Sequence, residues 1–147
     1  MSLLKVDNLN LQFRTDEGLI TAVENVSFEI SAGEVLGLVG ESGSGKSVTA
    51  KSLMQLNPSN SVYSPESSIK LELEQGEVDV LSLKNPRELV VVRGGAVSMI
   101  FQEPMASFAP ALTIGYQMVE QLLIHTSMSK RAAASLSVEM LERVGIS

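Results

Sequence analysis

The chain has 147 residues, room for one ordinary domain with a hydrophobic core, and at 44% hydrophobic and 19% charged it is no disordered tail. Its apolar runs, such as residues 89–92, fall far short of the roughly 20 residues that cross a bilayer. With 11 basic against 17 acidic residues the net charge is −6, which argues against sequence-independent nucleic-acid binding, and zero cysteines exclude disulfides, thiolate metal sites and a cysteine nucleophile.

The opening residues lack a basic stretch followed by an apolar core and a cleavage site, so a cytoplasmic protein is expected. Leu4, Val6, Leu9, Leu11 and Phe13 predict a strand, and Asp16-Glu17-Gly18 a hairpin turn. Val26, Phe28 and Ile30 alternate with polar residues up to a turn at Ser31-Ala32-Gly33. Residues 35–39 are apolar nearly throughout, the pattern of a central parallel strand covered on both faces.

A glycine-rich stretch follows, and residues 48–56 then read as a helix ended by Asn57-Pro58, with a polar loop over 57–66. Ile69, Leu71 and Leu73 predict a strand, and Val78 and Val80 a second short one across Gly76. The intervening Glu72, Glu74 and Glu77 read as solvated positions of that hairpin. Pro86-Arg87-Glu88 opens a short helix closed by Gly94-Gly95, and residues 97–101 suggest a further strand. Two amphipathic helices come last. One carries Ile114, Met118 and Leu122 on a face; the other, capped by Ser129 and Gly145, carries Ala133, Leu136, Met140 and Val144. His125, the single histidine, has no ligand-spaced companion and reads as structural, and the methionines at helical spacing read as packing residues.

The stretch Gly40-x-x-x-x-Gly45-Lys46-Ser47 matches the Walker A pattern at its four fixed positions. Gly40, Gly43 and Gly45 allow positive φ and close backbone approach, so the amides of residues 42–48 can converge on a phosphate at a helix N-terminus. On this reading Ser42, Gly43, Ser44, Gly45 and Val48 line the nucleotide site with Gly40. Lys46 adds a full charge at the β- and γ-phosphates, and the Ser47 hydroxyl is placed for Mg²⁺. The alternative is a plain Gly/Ser turn with a solvated lysine.

Residues 40–49, GESGSGKSVT, resemble the Walker A region of ATP-binding subunits of ABC transporters. Met99-Ile100-Phe101-Gln102-Glu103-Pro104-Met105, continuing through Ser107, Phe108 and Pro110, resembles the Q-loop of that family, in its oligopeptide, dipeptide and nickel uptake branch. The first hairpin, with Phe13, Arg14, Thr15 and Thr21-Ala22-Val23, is similar as well. Glu103 for the usual Asp and Phe108-Ala109 for Leu-Asn are the departures.

The resemblance implies an α/β fold, a P-loop NTPase of the ABC nucleotide-binding type with an N-terminal antiparallel β subdomain and the start of a helical subdomain. Residues 1–112 would form the α/β part and 113–147 the beginning of the helical one. It further implies that Phe13 stacks on the adenine of ATP, with a strand-core role as the alternative. Lys46 and Gln102 would serve catalysis, and Ser47 and Gln102 would lie at the Mg²⁺. The implied partners are a second nucleotide-binding subunit and transmembrane permease subunits, the latter docking at the Q-loop and helical region, with a peripheral position on the cytoplasmic face of the membrane.

Residues 1–147 hold no LSGGQ-type signature, no Walker B Asp-Glu and no switch histidine. The expectation is therefore a piece of a longer protein with an incomplete core sheet. Such a segment would not hydrolyse ATP alone, whereas the full protein would, coupling it to uptake of peptides or similar small solutes. A non-catalytic nucleotide-binding or regulatory module is the second reading. A kinase or GTPase is the third, disfavoured because no acceptor site or guanine-reading Asn-Lys-x-Asp occurs.

Overall fold

Apolar side chains at positions 4, 6, 9, 11 and 13 change phase between 6 and 9, so strict alternation would split them between two faces of a sheet. The computed structural model, which describes residues 2–103 and 107–146, resolves this with bulges. β1 (Ser2–Thr15) pairs antiparallel with β2 (Gly18–Ser31), and the register slips between Val6↔Phe28 and Leu9↔Val26 and again before Leu11↔Val23. Asn8 (φ 48°) and Asn25 (φ 49°) sit at these slips in the left-handed region, which asparagine tolerates better than most residues. Each bulge restores the phase, so Val6, Leu9, Leu11 and Val23 are all buried.

The bulges disturb the ladder, and side chains take up its loose ends. The Asn8 amide donates to Ser27 Oγ at 2.8 Å and the Asn25 amide to Asn10 Oδ1 at 2.9 Å. Ser67 Oγ accepts from the Asn10 amide at 2.9 Å and donates to the Asn8 carbonyl at 2.9 Å. Ser67 is buried, so Ser67→Ala takes away the acceptor of the Asn10 amide, while the Asn8 carbonyl keeps Asn10 Nδ2. The substitution is expected to lower unfolding free energy by about 1–3 kcal/mol in urea titration.

The sheet has the order β2-β1-β4-β5, with β4 spanning Ser68–Leu73 and β5 Gly76–Asp79, and β3 (Ser61–Tyr63) pairs with the far end of β1. All named pairings are antiparallel. Ile69 and Leu71 point with Leu9 and Leu11 into one core, closed by Val80 and Val92. A 3-10 turn (Val80–Ser82) follows, capped by Asp79, and then α2 (Pro86–Val92), where Asn85 and Glu88 form a capping box.

Four expectations about the extent of elements are corrected. The stretch 57–66 contains β3, because Tyr63, Val62 and Ser61 lie opposite Leu11, Gln12 and Phe13. The helix expected at 48–56 is α1 (Lys46–Ser52), followed by tight turns. Residues 35–39 form no strand, and Val35 and Val39 are 95% and 93% exposed. Residues 98–101 also lie outside any ladder, with Ile100 exposed and only an isolated Arg93↔Val97 bridge beside them. The reason is common to both: a strand needs ladder partners, and none of the described strands pairs with either segment.

The chain divides into two compact units, the first ending at Val97 and the second beginning at Ser98. The second holds α3 (Ile114–His125) and α4 (Lys130–Arg143), capped by Thr113 and by Ser129. Gln117 accepts from the Ala109 amide at 2.9 Å and donates to the carbonyls of Ala109 (3.2 Å) and Leu112 (3.1 Å), tying the preceding loop to α3. The inward face of α4 is rotated from the expected one. Ala133 and Ser137 are buried, with Leu136 and Leu141 half-buried, while Met140 and Val144 are exposed. Ser137 tolerates burial because its hydroxyl donates to the Ala133 carbonyl at 2.8 Å.

Candidate functional site

Gly45 is the N-cap of α1, with φ 88°, and supplies no side-chain cap; the first helical bond runs from the Thr49 amide to the Gly45 carbonyl at 2.8 Å. The first-turn amides of an α-helix lack intrahelical partners, and here no side chain caps them and no acidic residue occupies the turn. That is the electrostatic setting that accepts an anion. Gly45 is also irreplaceable sterically, since a Cβ there would lie 2.6 Å from the Ala22 carbonyl of β2. At Gly40 a Cβ would meet Ser44 Oγ at 2.5 Å. Gly43 has φ 82° and open space around it.

Lys46 folds back over the loop. Its Nζ donates to the carbonyls of Gly40 at 2.7 Å and Glu41 at 2.6 Å, and to Ser44 Oγ at 3.1 Å. An ammonium has three donors, so all are engaged within the loop, and a phosphate oxygen must displace at least one of them. Ser42, Gly43, Ser44 and Ser47 are exposed, and Val48 is half-buried against the sheet core. Phe13 lies on β1 opposite Ile20 and Ser61, half-buried and packed on the same core. Gln102 and Glu103 are exposed in the second unit. In the patch that the sequence suggests for docking, Phe108 and Pro110 are exposed; Pro104 and Met105 lie outside the described residues. His125 is half-exposed in the last turn of α3.

Sequence reasoning missed the residues that hold α1 from below. Ser52, fully buried, donates to the Val48 carbonyl at 2.9 Å, and Asn57 Nδ2 lies within 3.0 Å of Val48 O, Ser52 Oγ and Tyr63 Oη. Arg93 reaches the carbonyls of Met54 and Gln55. The available signal was Thr49 and Ser52, polar residues three apart on the face of a helix that must pack against the sheet. As for metal, the described residues contain no cluster of three His, Asp or Glu side chains. Ser47 supplies one oxygen at the loop, a donor set that suits an ion held mainly by phosphate oxygens and water.

The α/β fold is that of an ABC nucleotide-binding domain. The structure is similar to the dimeric ATP-binding cassette MJ0796 in a post-hydrolysis state bound to ADP and Pi, with TM-score 0.74 and 23% identity, covering 95% of this chain and 56% of that one. The family model "ABC transporter" matches residues 23–147, and the chain belongs to that family.

Its sequence is 46% identical over 99% of the chain to the oligopeptide transport ATP-binding protein AppD of Bacillus subtilis. It is 43% identical over 97% to the dipeptide transport ATP-binding protein DppD of Lactococcus lactis, and 41% identical over 99% to the glutathione import ATP-binding protein GsiA of Escherichia coli. The chain spans 43%, 40% and 23% of the lengths of these relatives, respectively. No helix among the described residues is long and apolar enough to cross a membrane.

Proposed function

We propose that the chain binds Mg-ATP through residues 40–48 as part of an ATPase subunit that powers uptake of peptides or similar small solutes. The observation that carries this is the helix headed by Gly45, whose first turn has no side-chain cap, with the Lys46 ammonium folded beside it. The backbone from Ser42 to Val48 grips the β-phosphate, and Lys46 exchanges loop carbonyls for β- and γ-phosphate oxygens. Phe13 lies against adenine. Ser47 and Gln102 hold Mg²⁺, which when bound neutralises phosphate charge. Gln102 orients the attacking water.

On this reading a second nucleotide-binding subunit faces the loop. A permease docks on the region from Glu103 to Pro110 and on the helical part beginning near residue 113, at the cytoplasmic face of a membrane. The groove of about 700 Å³ along α3 and α4, lined by Tyr116, Val119, Leu123 and Val138, supplies an apolar surface there. Residues 1–112 are the α/β part of that domain. Hydrolysis belongs to the full-length protein, because the phosphate clamp alone lacks the carboxylates that complete the metal site and position water.

Calorimetric titration of the protein with Mg-ATP and Mg-GTP tests the proposal. Saturable ATP binding with a clear preference over GTP is expected. No binding, or equal binding of GTP, overturns it. Turnover by the purified 147-residue chain that Lys46→Ala abolishes overturns the assignment of hydrolysis to the longer protein.

A further inference from the structure

A helix of seven residues cannot hold its own position, so what fixes α1 decides where Lys46 and Ser47 stand. Its N-terminal side is a loop of mostly exposed residues. Its C-terminal side is gripped by two elements. Past Ser52 the chain tightens, with the amides of Leu53, Met54 and Gln55 donating to the carbonyls of Ala50, Lys51 and Ser52 at 3.1–3.3 Å, and Gln55 enters the left-handed region at φ 48°. A non-glycine residue there persists only when its surroundings hold it. Gln55 Nε2 donates to the carbonyls of Val80 and Leu83, pinning this turn to the 3-10 segment. From the C-cap of α2, Arg93 Nε donates to the Met54 carbonyl at 2.8 Å and Nη2 to the Gln55 carbonyl at 2.6 Å.

We propose that Arg93 is a positioning residue for the phosphate loop: its guanidinium clamps two carbonyls of the turn that closes α1 and so holds the whole helix, with Lys46 and Ser47 at its head, in place. A planar guanidinium suits this because two parallel donors meet two successive carbonyls, which an ammonium cannot do from one point. Arg93 itself is anchored. The tight turn after α2 bonds the Gly94 amide to the Val97 carbonyl at 2.8 Å and the Val97 amide to the Val92 carbonyl at 2.9 Å, and Val92 is fully buried. The clamp therefore transmits the rigidity of the sheet core to a helix that the core touches only in part.

The proposal rests on residues 40–48 being the nucleotide site, and the test separates the two. Amide hydrogen exchange is measured on the chain and on Arg93→Ala and Arg93→Lys, with strand amides of β1 and β4 as the reference for global opening. The expected result is exchange at Thr49, in the first turn, faster by about tenfold relative to the reference in Arg93→Ala, alongside Leu53, Met54 and Leu56. Arg93→Lys is expected to show a smaller increase at the same amides. Acceleration confined to residues 53–56, or none, overturns the proposal, because Arg93 is then a local cap. Should Arg93→Ala not fold, Arg93→Lys decides alone: faster exchange reaching Thr49 supports the clamp, and exchange unchanged there overturns it.

A second readout is Mg-ATP affinity at a temperature where each variant is fully folded. Arg93→Ala is expected to weaken binding roughly three- to tenfold, a loss of the size expected when one positioned contact is disturbed. Unchanged affinity overturns the link to the loop. A parent chain that binds no nucleotide defeats the functional reading, while the exchange result at Thr49 still decides the clamp.

Discussion

Gly45→Ala is expected to abolish Mg-ATP binding and to destabilise the first unit by about 2–4 kcal/mol, combining backbone strain with overpacking. The φ of 88° places any β-carbon in the left-handed region, and that carbon would lie 2.6 Å from the Ala22 carbonyl and 3.4 Å from Val23 Cγ2. The obstacle is backbone of a paired strand, so the loop must lift away, taking the head of α1 with it. Gly43→Ala isolates the two causes. It has a similar φ of 82° but nothing within 4 Å of the added carbon, so it is expected to lose only about 1–2 kcal/mol from conformation. Urea unfolding of both variants reads the difference. Equal losses would mean that the approach of the loop to β2 carries no energy.

Lys46→Ala is expected to weaken Mg-ATP binding at least about 100-fold while leaving stability within about 0.5 kcal/mol. The two effects separate because the ammonium's bonds to Gly40, Glu41 and Ser44 are solvent-exposed, so water replaces them at little cost. Toward a triphosphate the same ammonium meets full negative charge on more than one oxygen, and 100-fold corresponds to about 2.7 kcal/mol. Calorimetry and thermal unfolding on the same sample check both halves. Wild-type affinity in Lys46→Ala would remove the lysine from the site, and a large loss of stability would make it a structural fastener.

Much of this was legible in the residues because the responsible signals are local. Asp16-Glu17-Gly18 turns the hairpin, Pro86 and the Gly94-Gly95 pair bracket α2, and Ser129 and Gly145 bracket α4, since each acts through its own backbone or the adjacent turn. The motif Gly40-x-x-x-x-Gly45-Lys46-Ser47 was legible for the same reason. Its glycines answer to backbone geometry, although only the structure shows that Gly45 answers to Ala22 as well.

Tertiary structure decided whatever depends on a distant partner. The apolar run at 35–39 reads as a covered strand from composition, yet a strand exists only where another chain segment accepts its hydrogen bonds, and none of the described strands does so. Conversely, Ser61 to Tyr63 is a strand because β1 offers an edge there, not because its residues alternate. The phase change along β1 was visible in the spacing of Val6 and Leu9, but its remedy needed Asn8 and Asn25 to face each other's strands with Ser27 and Ser67 beside them. Arg93 lies some forty residues from the carbonyls it grips, a distance over which no sequence pattern carries information. The sequence by itself determined the chemistry of the loop; the packing of α2, β3 and the 3-10 turn around the far end of α1 determined where that chemistry is held.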